Sequence, residues 1–349
     1  MTRLASRTHL APWILFGVAL LFLGTAIVAI GTGAVSIAPS RVLAILTGQA
    51  DVDIPQAQRV VVLSVRLPRV LLALLAGAGL ACAGVMMQAL FRNPLADPAL
   101  IGVSAGAALG AVSVIVVGAT WLHGLSHLLG VWTLPVAAFA GALFTALLVF
   151  RLSQRDGLLE PTTMLLCGIA INALTGAGIG LMTYLATDDQ LRSLTFWSLG
   201  SLGAATWSSL LGAAPAIVAM VLAGPWLAHQ LNALLLGESE ALHLGVSVER
   251  LKRVVIGLTA AAAGAVVAVS GVIGFIGLVA PHMARLMVGP DHRFVLPVAS
   301  LLGATLLTAG DMVARTAVRP AELPIGILTA LLGAPFFLWL LRRRQTGES

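Results

Sequence analysis

Arg66 and Arg69 stand one helical turn apart at the head of the stretch "RLPRVLLALLAGAGLACAGVMMQAL", which then runs to Leu90 without another formal charge. A guanidinium offers a planar fork of donors that fits carboxylates and phosphates. Two such groups can recognise acidic partners, or they can snorkel to lipid phosphates. Asp311 and Arg315 are spaced i,i+4 and can pair on one helix face. The single lysine, Lys252, follows Leu251. A phosphate-cradling loop needs Gly-Lys-Ser/Thr, so this chain binds no ATP in that way. ATP-driven work would require a separate ATPase chain. His123 and His127 have a spacing that could hold a metal, but loop histidines commonly only meet solvent. His282, after Pro281, reads as a hydrogen-bonded group inside a bundle. Cys82 and Cys167 lie in apolar runs and read as small packing groups. No paired carboxylates, HExxH or Ser/His set occurs within those runs, so no catalytic residue, metal site or stably bound cofactor is expected.

These residues must be positioned by elements that sit in lipid. The 349 residues are 59% hydrophobic and 10% charged, against about 25% charged in soluble domains. Mean hydropathy is +1.01. Continuous apolar runs predict an all-α polytopic membrane protein with ten spans: roughly 13–34, 68–90, 98–120, 132–150, 161–186, 207–229, 252–271, 272–289, 294–314 and 323–341. The first run is too long for a signal-peptide core and reads as a span. The seventh and eighth share one uncharged run between Arg253 and Arg285. That is about 46 Å of helix, too long for one crossing of a ~30 Å core. Gly271, Gly274 and Gly277 permit a tight turn there.

Ten spans put both termini on one face. With the termini cytoplasmic, most basic residues are inside, including Arg3, Arg7, Arg250, Lys252, Arg253 and Arg342–Arg344. Arg41, Arg59, Arg66, Arg69, Arg192, Arg315 and Arg319 are outside. The net charge of +6 is spread over the loops and points to orientation and lipid contact rather than nucleic acid. An outer segment, 36–58, predicts a short amphipathic surface helix after Pro39.

Two inner loops carry information. "GESEALHLGVSVERLKR" (237–253) predicts helix, glycine, helix: Gly237 stops one span, Glu238 starts a helix, Gly245 breaks it, and Ser247 caps a second short helix containing Glu249. It is either a docking knob for a partner protein or an ordinary connection. In "RNPLADPALIGVSAGA" (92–107), Asp97 caps a helix that begins at Pro98, closing a tight hairpin. Asn172, Gln88 and Asp311 are the polar residues within spans that mark pathway candidates.

Six fragments in order carry a resemblance: "RLPR", "QALFRNPLADPALIGVSAGA", "LRSLTFWSLGSLGAATW", "GESEALHLGV", "GFIGLVAPHMARLMVGPDHR" and "AELPIGILTALLGAPFFLWLL". The chain resembles the FecCD-type permeases of binding-protein-dependent ABC importers, over about residues 15 to 342. The resemblance implies a type II ABC importer permease fold in a bacterial inner membrane. It implies a homodimer with a central pathway, two ATP-binding cassette subunits that carry the ATP, and a periplasmic substrate-binding protein. Arg66, Arg69 and Arg315 match the family's outer docking arginines; Arg319 has no assigned role. Gly237, Glu238, Ala241, Leu244, Gly245 and Val246 match its ATPase-coupling segment. The fifth span matches the pathway helix, with Thr162 and Thr163 at its cytoplasmic gate and Asn172 further along; Pro161 interrupts the family's hydroxyl pattern. The chain as a whole is most similar to haem importers, with ferric siderophore or cobalamin as alternative cargo. An ion-coupled secondary transporter is the more distant reading, and Asp311 is the one carboxylate suited to it.

Overall fold

The computed structural model describes residues 10–33, 36–48, 54–118, 123–155, 158–318 and 321–345. Arg3, Arg7, Arg319, the side chain of His123 and the expected span ends at 34 and 119–120 lie outside the described residues. The described residues are predominantly helical. Its elements are α1 (Ala11–Gly31), α2 (Pro39–Leu46), α3 (Gln56–Leu90), α4 (Val103–Val117), α5 (His123–Leu129), α6 (Thr133–Leu152) and α7 (Pro161–Leu185). There follow α8 (Asp188–Ser198), α9 (Trp207–Leu236), α10 (Glu238–His243), α11 (Val248–Ser270), α12 (Ile276–Val288), α13 (His292–Ala314) and α14 (Ile325–Gln345). Seven of them are long and apolar enough to cross a membrane, and shorter apolar helices occur in α4, α12 and α14. Together they occupy the positions of the ten expected spans.

Local chemistry sets several helix starts. Proline stands in the first turn of α1, α2 and α7, where its missing N–H costs nothing. Capping boxes open α8 at Thr187 and α9 at Thr206. Asp97 caps Pro98 as expected, accepting from Ala99 N–H at 2.9 Å. The element it starts is a 3-10 turn, Pro98–Ile101, and α4 begins only at Val103. Gly102, at φ 80, turns the chain between the two.

The chain does not start a helix at Pro68. α3 begins at Gln56 and passes through the proline. The preceding turn, Val61–Arg66, widens to π geometry, with Leu67 N–H donating to Val62 C=O. Continuing that register would require an N–H from Pro68 to Leu63 C=O, and proline has none. Trp207 Nε1–H supplies the missing donor at 2.9 Å.

The seventh and eighth spans are not joined by a tight turn. α11 stops at Gly271 (φ 68), residues 272–274 are non-helical, and α12 starts after Phe275 (φ 66). The thirteen residues of α12 cover only ~20 Å. Non-helical backbone survives at such depth only where it is buried in protein or lines a water-filled cavity. Here three chain breaks meet. Ser201 N–H donates to Ser270 C=O (2.7 Å), Ile325 N–H to Gly200 C=O (3.0 Å) and Gly326 N–H to Leu199 C=O (3.1 Å). The end of α8, the end of α11 and the start of α14 therefore satisfy one another's backbone groups.

α3 is the hub. Its candidate span is 83% buried, and it packs against α9, α11, α12 and α13. Gly77 on α3 and Gly303 on α13 face each other so closely that a Cβ on either would run into the other's carbonyl. Small residues let helix backbones approach, which is the main source of packing energy between helices in lipid. Gly303→Val should cost about 1–3 kcal/mol by overpacking. Gly257→Ala, on α11 with nothing within 4 Å of its Cβ position, should not. Thermal unfolding of the detergent-solubilised protein checks both; equal midpoints would remove the glycine contact as a determinant.

Candidate functional site

At the outer end, as charge assigns it, Arg69 and Arg315 flank one carboxylate, and Arg66 joins Arg315 at the end of α1. Asp311 is 1% exposed near the end of α13. Arg69, from α3, grips it with Nε (3.0 Å) and Nη2 (2.8 Å), while Nη1 reaches Glu322 at 3.0 Å. The expected i,i+4 pair is present but longer, with Arg315 Nε 3.6 Å from Asp311. Arg315 Nη2 instead donates to Ala29 C=O at 2.7 Å. Arg66 Nη1 donates to Ile30 C=O (3.0 Å) and Gly31 C=O (2.8 Å). Two guanidiniums thus cover the last carbonyls of α1, where a helix end concentrates negative partial charge. All three arginines are buried, at 5, 8 and 6% exposure for Arg66, Arg69 and Arg315. Glu322 is the partly open member, with its side chain 46% exposed.

At the inner end the segment 237–253 forms a compact knob. Gly237 (φ 132) ends α9 and α10 follows directly. Ala241 is fully buried, while Leu242 and Leu244 are about two-thirds exposed at 60 and 63%. Gly245 (φ 81) turns the chain, and Val246 N–H returns to Ala241 C=O at 2.9 Å. The expected second short helix is absent as a separate unit. Glu249 lies in the first turn of α11, continuous with the seventh span, and Ser247 makes no side-chain cap there. Two clefts flank Val246. One of about 480 Å³ is lined by Gln230, Ser247 and Arg250; one of about 390 Å³ is lined by His229, Leu244 and Arg293. Beside the second, burial would raise the Asp291 carboxyl, but Arg293, Asn232 and the Arg293 N–H bond it and hold it at about 2.

Lys252 is 1% exposed. Its Nζ donates to Glu238, Glu249 and Leu159 C=O, each at 2.9 Å. Leu159 belongs to a two-stranded hairpin absent from the sequence reading, Gln154–Arg155 paired with Leu158–Leu159. The Asp156-Gly157 pair, a strong hairpin signal, was the clue available.

The gate candidates sit on α7. Pro161 is its first residue and fits there without strain. Thr162 is exposed, and Thr163 donates to Glu160 at 2.6 Å. Asn172 turns inward and donates to Ala99 C=O at 3.4 Å, leaving its Oδ1 buried without a hydrogen-bond partner among the described residues. The face of α7 bearing Leu166, Ile169, Leu174, Leu181 and Tyr184 is open. Gln88 bridges Gly277 C=O and Arg285, and His282 meets the ring of Phe336 edge-on at 5.8 Å. Cys82 is buried and Cys167 half-buried. Among the described residues, no three His, Cys, Asp or Glu side chains gather as a metal site.

The pattern of the FecCD transport family matches residues 19–343. The chain belongs to that family. A FecCD permease is the membrane subunit of an ABC importer, and it works with an ATPase partner. The hemin transport system permease protein HmuU of Yersinia pestis is 51% identical over 287 residues, covering 82% of this chain and 84% of that protein. The cobalamin import system permease protein BtuC of Halobacterium salinarum is 42% identical over 296 residues, covering 84% and 76%. A structure solved as a metal-chelate type ABC transporter, inward-facing, superposes with a TM-score of 0.82 at 36% identity over 95% of this chain and 99% of that one. This FecCD protein is therefore an integral membrane protein of the importer class.

Breaking a buried ion pair by deleting one partner leaves the other charge stranded and costs about 3–5 kcal/mol. Asp311→Asn should therefore lower the thermal midpoint of the solubilised permease clearly. Glu322→Gln, at the half-open edge of the same cluster, should cost about 1 kcal/mol or less. Equal effects in a thermal-shift measurement would contradict this division of labour.

Proposed function

We propose that this permease forms the pathway by which haem crosses the bacterial inner membrane, as a homodimer with two ATP-binding cassette subunits and a periplasmic binding protein. The observation that carries the cargo assignment is the 51% identity to a hemin permease over 82% of this chain, against 42% to a cobalamin permease over 84%. The open face of α7 supports a pathway or a subunit contact along that helix. In this reading Thr162, exposed at the inner end of α7, lines a cytoplasmic gate. The exposed leucines of the 237–246 knob support docking into a groove on the ATPase, with Gly237, Glu238, Ala241 and Gly245 shaping the knob and Leu244 and Val246 at its contact face.

Arg66, Arg69 and Arg315 support an outer docking surface of a particular kind. None offers a free guanidinium; each already holds a partner. An acidic side chain of the binding protein would engage Arg69 by replacing Glu322, the one partly solvated carboxylate in the cluster. Arg66 and Arg315 would hold the surface in shape and supply positive potential. This arrangement favours recognition by charge complementarity, which governs encounter rate and partner choice.

Two outcomes test the reading. In a strain lacking this gene and any redundant system, haem uptake should be lost while siderophore and cobalamin uptake persist. Loss of cobalamin or siderophore uptake with haem uptake intact would transfer the cargo to that class. For docking, Glu322→Gln removes the competing carboxylate, so binding-protein affinity for the reconstituted complex should rise, by up to about five-fold, since one exchanged charge contact is worth about 1 kcal/mol at most. Weaker binding in that variant would overturn the exchange.

A further inference from the structure

Lys252 joins three parts of the chain that are distant in sequence. Glu238 opens α10 in the knob, Glu249 opens α11, and Leu159 ends the hairpin that leads into α7. Three acceptors surround one ammonium, and an ammonium has three protons to give. Glu249 uses its second carboxylate oxygen to accept from Leu159 N–H at 3.0 Å. Both backbone polar groups of Leu159 are thus held by the knob side. Leu159 itself is 2% exposed and packed into the main core. It stands two residues before Pro161, the first residue of α7. Glu160, between them, donates its N–H to Ser153 C=O (3.2 Å) and accepts from Thr163.

We infer that Lys252 is the transmission point between the knob and the inner end of α7. A displacement of α10 carries Glu238, Glu238 carries Lys252, and Lys252 with Glu249 carries the Leu159 backbone and the first turn of α7. The path is a chain of short polar bonds between packed elements, the kind of contiguous linkage through which two sites couple. Lysine suits the role because it is a compact charge with three independently directed donors; the planar fork of arginine cannot face three acceptors around a point. Lys252 is a positioning residue: it touches neither cargo nor nucleotide. The inference rests on the reading that the knob docks the ATPase, and its test separates the two.

The experiment uses the assembled importer, with ATPase and binding protein, in proteoliposomes. Lys252→Met removes all three bonds while keeping an unbranched side chain. Glu249→Gln preserves shape and loosens the link to Leu159. In both, haem transported per ATP hydrolysed should fall, by about five-fold or more in Lys252→Met, the lower end of ordinary coupling between sites. A merely structural role would reduce transport and hydrolysis together through lost assembly, leaving their ratio at the wild-type value. If Lys252→Met does not assemble, Glu249→Gln decides by the same ratio. A wild-type ratio in the deciding variant overturns the inference. Leu244→Glu is the control on the underlying reading. Should it leave ATPase association intact, the knob is not the docking element and that reading fails. Should it abolish association while the ratio in the Lys252 and Glu249 variants stays wild-type, docking stands and the transmission role falls.

Discussion

A charge taken out of water has to be matched where it lies, and this constraint organises both ends of the bundle. At the outer end a single buried carboxylate, Asp311, sits between Arg69 and Arg315, while Arg66 and Arg315 also meet the carbonyls that end α1. At the inner end one buried ammonium, Lys252, is shared by two glutamates and a main-chain carbonyl. Between these clamps the helices are apolar and gain little from the hydrophobic effect by associating in lipid. The clamps therefore specify register and neighbour identity more than they add cohesion. Arg69 fixes α3 against α13 and the 321–324 segment; Lys252 fixes the knob and α11 against the hairpin before α7.

Cohesion along the bundle comes from backbone approach. The Gly77–Gly303 contact brings α3 and α13 together, and Gly84 meets the Gly277 carbonyl where α3 passes α12. Backbone polar groups impose the second demand, since each must be satisfied without water. The π turn before Pro68 frees a carbonyl that Trp207 takes up. At the break after α11, Ser201 N–H takes up the Ser270 carbonyl, and the start of α14 takes up the carbonyls at the end of α8. Irregular backbone is tolerated in both places because a neighbouring element supplies the missing partner.

These features bear on transport in different ways. The outer arginines are already engaged, so under the docking proposed above a binding protein would exchange with an existing partner and would not find bare cations. The knob exposes leucines on a chain segment pinned at its base by Lys252. α7 is open along one face and anchored at its first turn and at Asn172. A helix held at defined points and free along a face is suited to move as a unit when its anchor moves.

What the sequence by itself determined is whatever short-range chemistry encodes. Uninterrupted apolar runs identify the class, an all-α membrane protein, and each expected span overlaps an apolar helix. Asp97 before Pro98, Pro161 at the head of α7, and the glycines at 237 and 245 set local turns because each acts within a few residues. Six ordered motifs were enough to place the chain in its family. The sequence left open what depends on residues far apart in the chain. Asp311 looked like the i,i+4 partner of Arg315, yet Arg69, 242 positions away, holds it more closely. Lys252 looked like one cation in an inner loop, yet it reaches Leu159 across 93 positions. The expected second span begins at Pro68, yet a tryptophan from another helix meets the carbonyl that the proline leaves open, and α3 runs through it. Periodicity and capping report only on neighbours along the chain, and the partner of a buried charge or an orphaned carbonyl is chosen by which helices pack together. Tertiary structure alone decides that.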